Sequence, residues 1–398
     1  MKLNLLLTRE PFQDIFNKTV SKYLKIEFDW DGEIKWGTKF NYKKSFLVNK
    51  YLNLIFPSNI LFSSFNRLVK EHLFDKSPLR NFLRLIYAEL SNLFLTKYLL
   101  SSNSISFTKY IDYFDNFVFL GGNNTIKIID LKKSECIVLK KDGFSPEFFN
   151  STIRNRIKYS YLFANEIIDY NLNQYWFKEK FFEGIPLDRQ KNTLAINKSI
   201  SSAKQKMITL YQKTYMEISS IEYLEEIFKK INFEIKCLNK CYKESIKDQL
   251  YSSVSLLKKS LSFLLNNNII LPIALTHGDF NRGNIIFNEN NNQTDIIDWE
   301  YSDERIVWYD SFSLLLNSSN PEGLSKRIVF FSRNYFNYLL ELFWCTEFEQ
   351  FKLDIKVFFN LFILENLLIR LKQSNISKTL YEDSGMILFI EELKKLKY

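Results

Sequence analysis

The chain has 398 residues, of which 46% are hydrophobic and 25% are charged, so it is long enough for two or three compact units and too apolar for a disordered protein. Its formal net charge of +9 comes from basic residues that are scattered along the chain. Without a dense basic block, this charge argues against nucleic-acid binding.

Histidine and cysteine restrict the chemistry further. The chain contains two histidines, His72 and His277, so a zinc site or a Ser-His-Asp triad would have to use one of them. Its 4 cysteines lack the paired spacing of metal ligands, and we expect a cytoplasmic protein. The most apolar stretch, residues 79–100, carries several charged side chains, so we predict no membrane segment.

Residues 1–112 predict a mainly helical N-terminal extension without a catalytic motif. Residues 26–30 and 33–36 flank Asp31-Gly32, a pair typical of a β-hairpin turn. Residues 78–100 predict one long helix with an apolar face. We expect the extension to serve in packing or as the surface for a protein partner.

Residues 113–184 predict a small antiparallel lobe. The β-rich runs span 117–120, 125–131, 136–140, 166–170 and 174–182, and a helix begins near Ser145-Pro146. Turns separate the first three runs, which indicates a meander. Gly184-Ile185-Pro186 closes this lobe and is typical of a hinge.

The sequence of residues 185–398 predicts a mostly helical lobe. This lobe contains the segment with the most candidate catalytic residues. An apolar strand over 269–275 leads into His277-Gly278-Asp279-Phe280-Asn281-Arg282-Gly283-Asn284. The runs 285–287 and 294–297 then form a predicted hairpin, and Asp298-Trp299-Glu300 follows it.

These polar residues are the types that phosphoryl transfer requires. The reaction uses a carboxylate to orient and deprotonate the attacking hydroxyl, and oxygen ligands that hold Mg²⁺ against the nucleotide phosphates. The open end of the hairpin brings Asn284 and Asp298 together, and Asp279 lies on the same loop as Asn284. The segment therefore predicts a base beside a metal site.

The order His-Gly-Asp, four residues, Asn, and later Ile-Asp-Trp-Glu resembles the signature of the aminoglycoside phosphotransferase and choline kinase family. The resemblance implies an α+β fold of the two-lobed protein-kinase-like type, with an antiparallel-sheet N-lobe and a mostly helical C-lobe. It implies ATP and Mg²⁺ as cofactors and a hydroxyl group of a small molecule as phosphate acceptor. It makes Asp279 the catalytic base and Asn284 and Asp298 the magnesium ligands.

The resemblance to the family also leads to two expectations about residues near the motif. Many family members have His-Pro where this chain has Asn281-Arg282, and we expect the catalytic roles not to depend on these two side chains. Asp310 resembles a structural aspartate of the family, and its local pattern predicts a helix N-cap.

In the small lobe the resemblance assigns nucleotide contacts. Gly121, Gly122 and Asn123 stand where a nucleotide-covering turn belongs, because glycine lets backbone N–H groups approach phosphate oxygens. Lys140 resembles the lysine that contacts the α- and β-phosphates, and Lys141 competes with it, since strand alternation lets one of them face the cleft.

The resemblance also implies a hinge between the lobes and a glutamate that pairs with Lys140. Residues 178–184 resemble the inter-lobe hinge, in which Lys180, Phe181 and Phe182 would meet the adenine through backbone groups. The glutamate that should pair with the lysine is missing, because Arg154-Asn155-Arg156 stands where many relatives have Asn-Glu. Glu147 and Glu166 are the two candidates to replace it.

The missing glutamate leaves an alternative open, namely a pseudokinase that binds nucleotide or acts as a scaffold. A kinase of protein or lipid head groups is also open, because a fold does not choose its acceptor. Between the hinge and the motif, Glu222, Glu225 and Glu226 form one local acidic group in an otherwise Lys-rich sequence. We therefore expect an amino alcohol or a sugar rather than a polycationic aminoglycoside as acceptor, with ring faces from Trp299, Tyr301, Trp308 or Tyr309 as candidate contacts.

Overall fold

The computed structural model describes residues 3–37, 45–60, 78–91, 93, 96–160, 166–238, 242–334, 354–376 and 384–396, and His72 lies outside them. The chain divides into two compact units. The first comprises Met1–Ser199 and Ile286–Ile297, and the second Ile200–Ile285 and Asp298–Tyr398. The sequence prediction divided the chain differently, and its limits at residues 112 and 184 stay a prediction.

Short strands and longer helices are interspersed along the chain. In chain order they are α1 (Leu3–Arg9), α2 (Phe12–Phe28), β1 (Ile34–Gly37), β2 (Ser45–Asn49), β3 (Leu54–Pro57), α3 (Pro78–Leu90), α4 (Thr96–Leu100), β4 (Asn103–Phe107), β5 (Phe117–Gly121), β6 (Thr125–Asp130), β7 (Glu135–Lys140), α5 (Glu147–Lys158), β8 (Ile167–Asn171), β9 (Trp176–Lys180), β10 (Ile185–Pro186), α6 (Thr193–Thr214), β11 (Met216–Ser219), α7 (Ser220–Cys237), α8 (Glu244–Ser260), α9 (Ser262–Asn267), β12 (Ile270–Thr276), β13 (Ile285–Asn288), β14 (Gln293–Ile296), β15 (Asp303–Ile306), α10 (Tyr309–Leu316), α11 (Leu324–Arg333), α12 (Ile355–Ile376) and α13 (Ser384–Lys395). This mixture of helices and antiparallel strands confirms the α+β class.

The first unit is built on a nine-stranded sheet with the order β1-β4-β2-β3-β5-β6-β7-β9-β8. Strands β5 to β9 are the predicted five-stranded set, and β5, β6 and β7 form the predicted meander. A second, three-stranded sheet has the order β10-β13-β14 and contains the predicted hairpin. Within the described residues, no helix is both long and apolar enough to cross a membrane.

The structure corrects the prediction for the N-terminal extension. The hairpin predicted around Asp31-Gly32 is wrong, because residues 26–28 belong to α2, and β1 pairs with the distant β4. Helix α2 continues because its apolar residues recur at helical spacing and are buried, and it ends where Asp29 adopts a left-handed conformation. The extension also adds four strands to the sheet, so it is less helical than predicted, and the helix predicted over 78–100 is two helices, α3 and α4.

The two faces of the nine-stranded sheet are covered by different helices. Ile137 and Leu139 of β7 lie in a buried cluster with residues of α1 and α2, and we name this side the α2 face. Cys136 and Val138 pack against Phe149 of α5, and we name this side the α5 face. Alternation along β7 therefore decides which helix each of its side chains meets.

The second unit contains an antiparallel sheet with the order β11-β12-β15, and the central strand β12 is almost fully buried. Helices α7 and α12 belong to this unit, and a buried glutamate of α12, Glu365, forms hydrogen bonds to both α7 and the sheet. Glu365 accepts hydrogen bonds from the Tyr223 hydroxyl and, at 3.1 Å, from the N–H of Ile306. Burial raises the pKa of Glu365 from its ordinary value of 4.5 to about 8, although Tyr223 and Arg305 oppose the shift.

We predict that the stability of the second unit falls as the pH rises from about 5 to about 8. In this window the folded protein keeps a proton on Glu365 that the unfolded chain has released, so each pH unit costs the folded state up to about 1.4 kcal/mol. Thermal unfolding followed at several pH values measures this slope. Glu365→Gln should flatten it, whereas Glu391→Gln, at an exposed position, should leave it unchanged. An equal slope in wild type and Glu365→Gln would contradict the assignment.

Candidate active site

The predicted catalytic loop follows the buried strand β12. This strand ends at Thr276, which pairs with Asp303 of β15, and residues 277–284 follow directly. Strand β11 pairs with residues 270–273 of β12, and β15 pairs with residues 273–276. The loop therefore starts from a strand end that β15 holds in place.

Asp310 holds the beginning of this loop. Its fully buried carboxylate accepts hydrogen bonds from the N–H of His277 at 2.8 Å and of Gly278 at 3.0 Å, and from the hydroxyl of Tyr211 at 2.8 Å. The prediction of a helix N-cap is wrong, because Asp310 lies inside the first turn of α10, whose N-cap is Trp308. Asp310 binds backbone N–H groups, but those of the loop rather than of its own helix.

Gly278 and His277 fix the shape of the loop. Gly278 has φ +85°, and a Cβ atom there would lie 2.2 Å from the carbonyl oxygen of Tyr301, so another residue would clash and be strained. The Nδ1 atom of His277 accepts a hydrogen bond from the N–H of Asp279 at 3.2 Å, and its ring packs on Trp299. His277 thereby helps to fix the backbone of the loop at Asp279.

Two amide side chains donate hydrogen bonds to the carboxylate of Asp279. Asn284 Nδ2 donates to Asp279 Oδ2 at 3.1 Å and to the Asp279 carbonyl oxygen at 2.8 Å. Asn281 Nδ2 donates to Asp279 Oδ1 at 3.0 Å, while Asn281 Oδ1 accepts from the N–H of Gly283 at 2.8 Å. Asn281 therefore contacts the predicted base directly, a contact that the sequence analysis did not predict. The signal for it in the sequence was Asn-x-Gly, which is typical of an Asx turn. The expectation that the catalytic roles do not depend on this side chain stays a prediction.

Asp298 lies close enough to Asp279 to affect its protonation. Burial raises the pKa of Asp279 above its ordinary value and the negative charge of Asp298 raises it further, whereas His277 and the hydrogen bonds from Asn281 and Asn284 lower it. Asp298 itself adopts a left-handed conformation with φ 68° just after the hairpin. The structure thus brings Asp279, Asn284 and Asp298 together in the second unit, as the sequence predicted.

The chemistry of this donor set fits a magnesium ion. Asn284 uses its amide nitrogen towards Asp279, so its carbonyl oxygen is the atom that it can offer to a metal. A divalent cation would offset the negative charge of Asp298, which raises the pKa of Asp279. In the described part of the chain, no group of three or more His, Cys, Asp or Glu side chains is placed to hold a metal ion.

The two candidate lysines lie on opposite faces of the nine-stranded sheet. Lys141 is fully buried on the α2 face and forms an ion pair with Glu10. Lys140 lies on the α5 face, where its ammonium group is 4.8 Å from the ring centre of Tyr175 and donates to the carbonyl oxygen of Phe144 at 2.7 Å. Because Glu10 already binds Lys141, Lys140 stays the predicted phosphate contact.

The partner of Lys140 and the hinge contacts stay predictions as well. Arg156, which stands where a glutamate was sought, forms a buried ion pair with Glu179. The two candidate glutamates, Glu147 and Glu166, are exposed. In the predicted hinge, the N–H of Phe181 donates to the carbonyl oxygen of Ser134 at 3.0 Å, so it is not available to an adenine. Lys180 is exposed and Phe182 is half-buried.

The aromatic residues after the motif do not form a binding surface. Trp299, Tyr301, Trp308 and Tyr309 are all buried among other side chains. Trp308 and Tyr309 pack against Phe358 and Phe362 of α12. Their ring faces therefore belong to the core of the second unit.

Several solved structures are similar to this chain at low sequence identity. An ethanolamine kinase of Plasmodium vivax is 15% identical, with 84% of this chain and 93% of that chain covered and a TM-score of 0.43. The choline kinase LicA of Streptococcus pneumoniae is 15% identical, with 70% and 92% covered and a TM-score of 0.45. An aminoglycoside phosphotransferase of Streptomyces rimosus is 12% identical, with 65% and 93% covered and a TM-score of 0.42.

The part of the chain that matches a protein-family model is the segment that contains the predicted catalytic loop. No curated protein matches the chain. Residues 257–337, however, match the model of the phosphotransferase enzyme family. This confirms the resemblance drawn from the motif, because the matched segment carries Asp279, Asn284 and Asp298.

Proposed function

We propose that the chain is a magnesium-dependent kinase that transfers the γ-phosphate of ATP to a hydroxyl group of a small molecule. The observation that carries this proposal is the half-buried carboxylate of Asp279, which two amide side chains orient and beside which Asp298 lies. A carboxylate fixed in this way is suited to accept a proton from an attacking hydroxyl group.

Each residue of this set has a separate task in the proposal. Asp279 orients the acceptor hydroxyl and takes its proton, and Asn281 and Asn284 keep the carboxylate in one orientation. Asn284 and Asp298 would hold Mg²⁺, which would neutralise charge on the transferring phosphate. Asp310 keeps the loop in place through the backbone of His277 and Gly278.

The first unit would supply the nucleotide contacts in a two-lobed, protein-kinase-like arrangement. We assign phosphate contacts to the turn formed by Gly121, Gly122 and Asn123 and to Lys140, and adenine contacts to the backbone groups of residues 180–182 other than the N–H of Phe181. The N–H of Gly122 donates to the carbonyl oxygen of Thr125 at 2.8 Å and closes the β5–β6 hairpin, so we assign the phosphate contacts to the other N–H groups of this turn. The adenine contacts rest on the resemblance of this segment to a hinge.

The alternative of a nucleotide-binding protein without turnover keeps one observation in its favour. Arg156 is buried in an ion pair with Glu179, so α5 offers a cation where the usual partner of the lysine would be an anion. Retention of Asp279, Asn284 and Asp298 in one cluster favours catalysis instead.

The surface charges of the second unit favour a small acceptor. Glu222, Glu225 and Glu226 line an open depression of about 500 Å³ together with Lys229. Glu226 also forms an ion pair with Lys230 at 3.0 Å. The depression lies beside Ser219 and Asn268, at the start of β12, whereas the catalytic loop follows the end of that strand. The acidic group found in the sequence is therefore remote from Asp279 and does not serve a polycationic acceptor there. We therefore propose an amino alcohol or a sugar as the acceptor.

We predict that Asp279→Asn lowers turnover by about a hundredfold or more, because the variant loses the proton acceptor. It should still fold and bind nucleotide, since an amide fits the same space. Steady-state kinetics and a nucleotide-binding titration measure the two effects. Asp303→Asn, at an exposed aspartate of the same unit, should behave as wild type. Near-normal turnover of Asp279→Asn would remove this residue from the mechanism.

We predict that Asp298→Ala abolishes the magnesium dependence of nucleotide binding, whereas Asn284→Ala weakens it less. An ionised carboxylate is the stronger ligand for a hard cation, and an amide oxygen the weaker one. Calorimetric titrations with ATP, with and without Mg²⁺, measure the difference. If Asp298→Ala kept the magnesium dependence of wild type, the metal would have to be held elsewhere.

We predict that amino alcohols or simple sugars, rather than kanamycin-type aminoglycosides, accept the phosphate. The test is incubation of the protein with ATP, Mg²⁺ and a panel of each compound class, followed by mass spectrometry of the products. Asp279→Asn serves as the inactive control. Efficient phosphorylation of aminoglycosides, with no product from millimolar amino alcohols and sugars, would refute the acceptor class.

A further inference from the structure

A buried ion pair connects the N-terminal extension to the predicted nucleotide turn. Glu10 lies in the elbow between α1 and α2, and its side chain and that of Lys141 are fully buried. Lys141 Nζ donates to Glu10 Oε1 at 2.5 Å and to the carbonyl oxygen of Asn123 at 2.9 Å. Removing two charges from water is unfavourable, so a buried pair of this kind is weak evidence for a purely stabilising role.

The same elbow packs directly on the turn. A Cβ atom on Gly121 would lie 2.4 Å from Leu6 Cδ1 and 3.3 Å from the ring of Phe12. The absence of a side chain at Gly121 therefore lets α1 and α2 reach the backbone of the turn. The packing contact at Gly121 and the ion pair between Glu10 and Lys141 both lie on the α2 face of the sheet.

The hydrogen bond from Lys141 also sets the direction of a neighbouring amide. The carbonyl oxygen of Asn123 points to Lys141 on the α2 face, and in a planar trans peptide the next N–H points the opposite way. The N–H of Asn124 is thereby directed away from Lys141. The side-chain oxygen of Asn123 is buried and accepts no hydrogen bond from the described residues, so Lys141 holds Asn123 through its backbone carbonyl.

We propose that Glu10 is a positioning residue for the nucleotide. It fixes Lys141, Lys141 fixes the backbone of the turn at Asn123, and the turn then presents its N–H groups to the phosphates without a cost of ordering. This inference rests on the proposed function, because it requires the turn to bind a nucleotide. Glu10 itself touches neither substrate, so its loss should weaken ATP binding while kcat and the KM of the acceptor stay nearly unchanged.

The decisive variant replaces both charges, Glu10→Met with Lys141→Met. The rings of Phe12 and Phe144 lie 5.6 and 5.2 Å from the Lys141 ammonium group, so apolar side chains suit this site. The double variant should fold but lose the hydrogen bond to Asn123. The control is Glu27→Gln, which removes an ion pair between α2 and Lys178 of β9 and leaves the turn untouched.

Two measurements compare these proteins with wild type. Hydrogen exchange of the amides in residues 121–125 reports on the turn without any need for activity, and a titration gives the Kd for ATP with Mg²⁺. We expect the double variant to exchange these amides about tenfold faster or more, and to bind ATP about tenfold more weakly. Glu27→Gln should match wild type in both. If the double variant does not fold, Glu10→Gln, which keeps the shape of the side chain, is measured instead.

A folded double variant with wild-type exchange, or with wild-type affinity for ATP, would overturn the inference. Failure of the proposed function has a different signature, because wild type would then bind ATP and give no phosphorylated product from any acceptor. In that case faster exchange and weaker ATP binding in the double variant would still support the role of Glu10.

Discussion

The carboxylate of Asp310 is the point on which the candidate site depends. It accepts two consecutive backbone N–H groups, those of His277 and Gly278, and the hydroxyl of Tyr211. Loss of this acceptor would leave buried donors unpaired, which costs about 1–3 kcal/mol for each group. With the start of the loop held in this way, His277 accepts a hydrogen bond from the N–H of Asp279. Asn281 and Asn284 donate hydrogen bonds to the carboxylate of Asp279.

Both units use a buried carboxylate from a distant part of the chain to shape a backbone turn. In the second unit, Asp310 acts on a loop 32 and 33 positions away in sequence. In the first unit, Glu10 pairs with Lys141 at a separation of 131 positions, and Lys141 binds the carbonyl of Asn123. The N-terminal extension, which contains no catalytic motif, thereby becomes part of the structure around the predicted nucleotide turn. A protein partner for the extension stays a prediction.

The features that the sequence predicted well are local ones. Strands β5 to β9 follow from short β-rich runs between turns, and the cluster of Asp279, Asn284 and Asp298 follows from one loop and one hairpin. What the sequence could not provide is long-range pairing. The partner of β1 is β4, about seventy residues later, and a propensity for strands contains no information about that choice. Local pattern also predicted the wrong role for Asp310, because an aspartate that caps a helix and one that binds another loop have the same neighbours in sequence.

The proposed mechanism requires above all that Asn284 and Asp298 hold a divalent metal beside Asp279. A crystal structure with Mn²⁺ in place of Mg²⁺ and a non-hydrolysable ATP analogue tests this directly, because anomalous scattering locates the metal without assumptions. We expect a peak about 2.0–2.3 Å from Asn284 Oδ1 and from a carboxylate oxygen of Asp298. A metal bound to the nucleotide but to neither of these residues would contradict the proposed metal site.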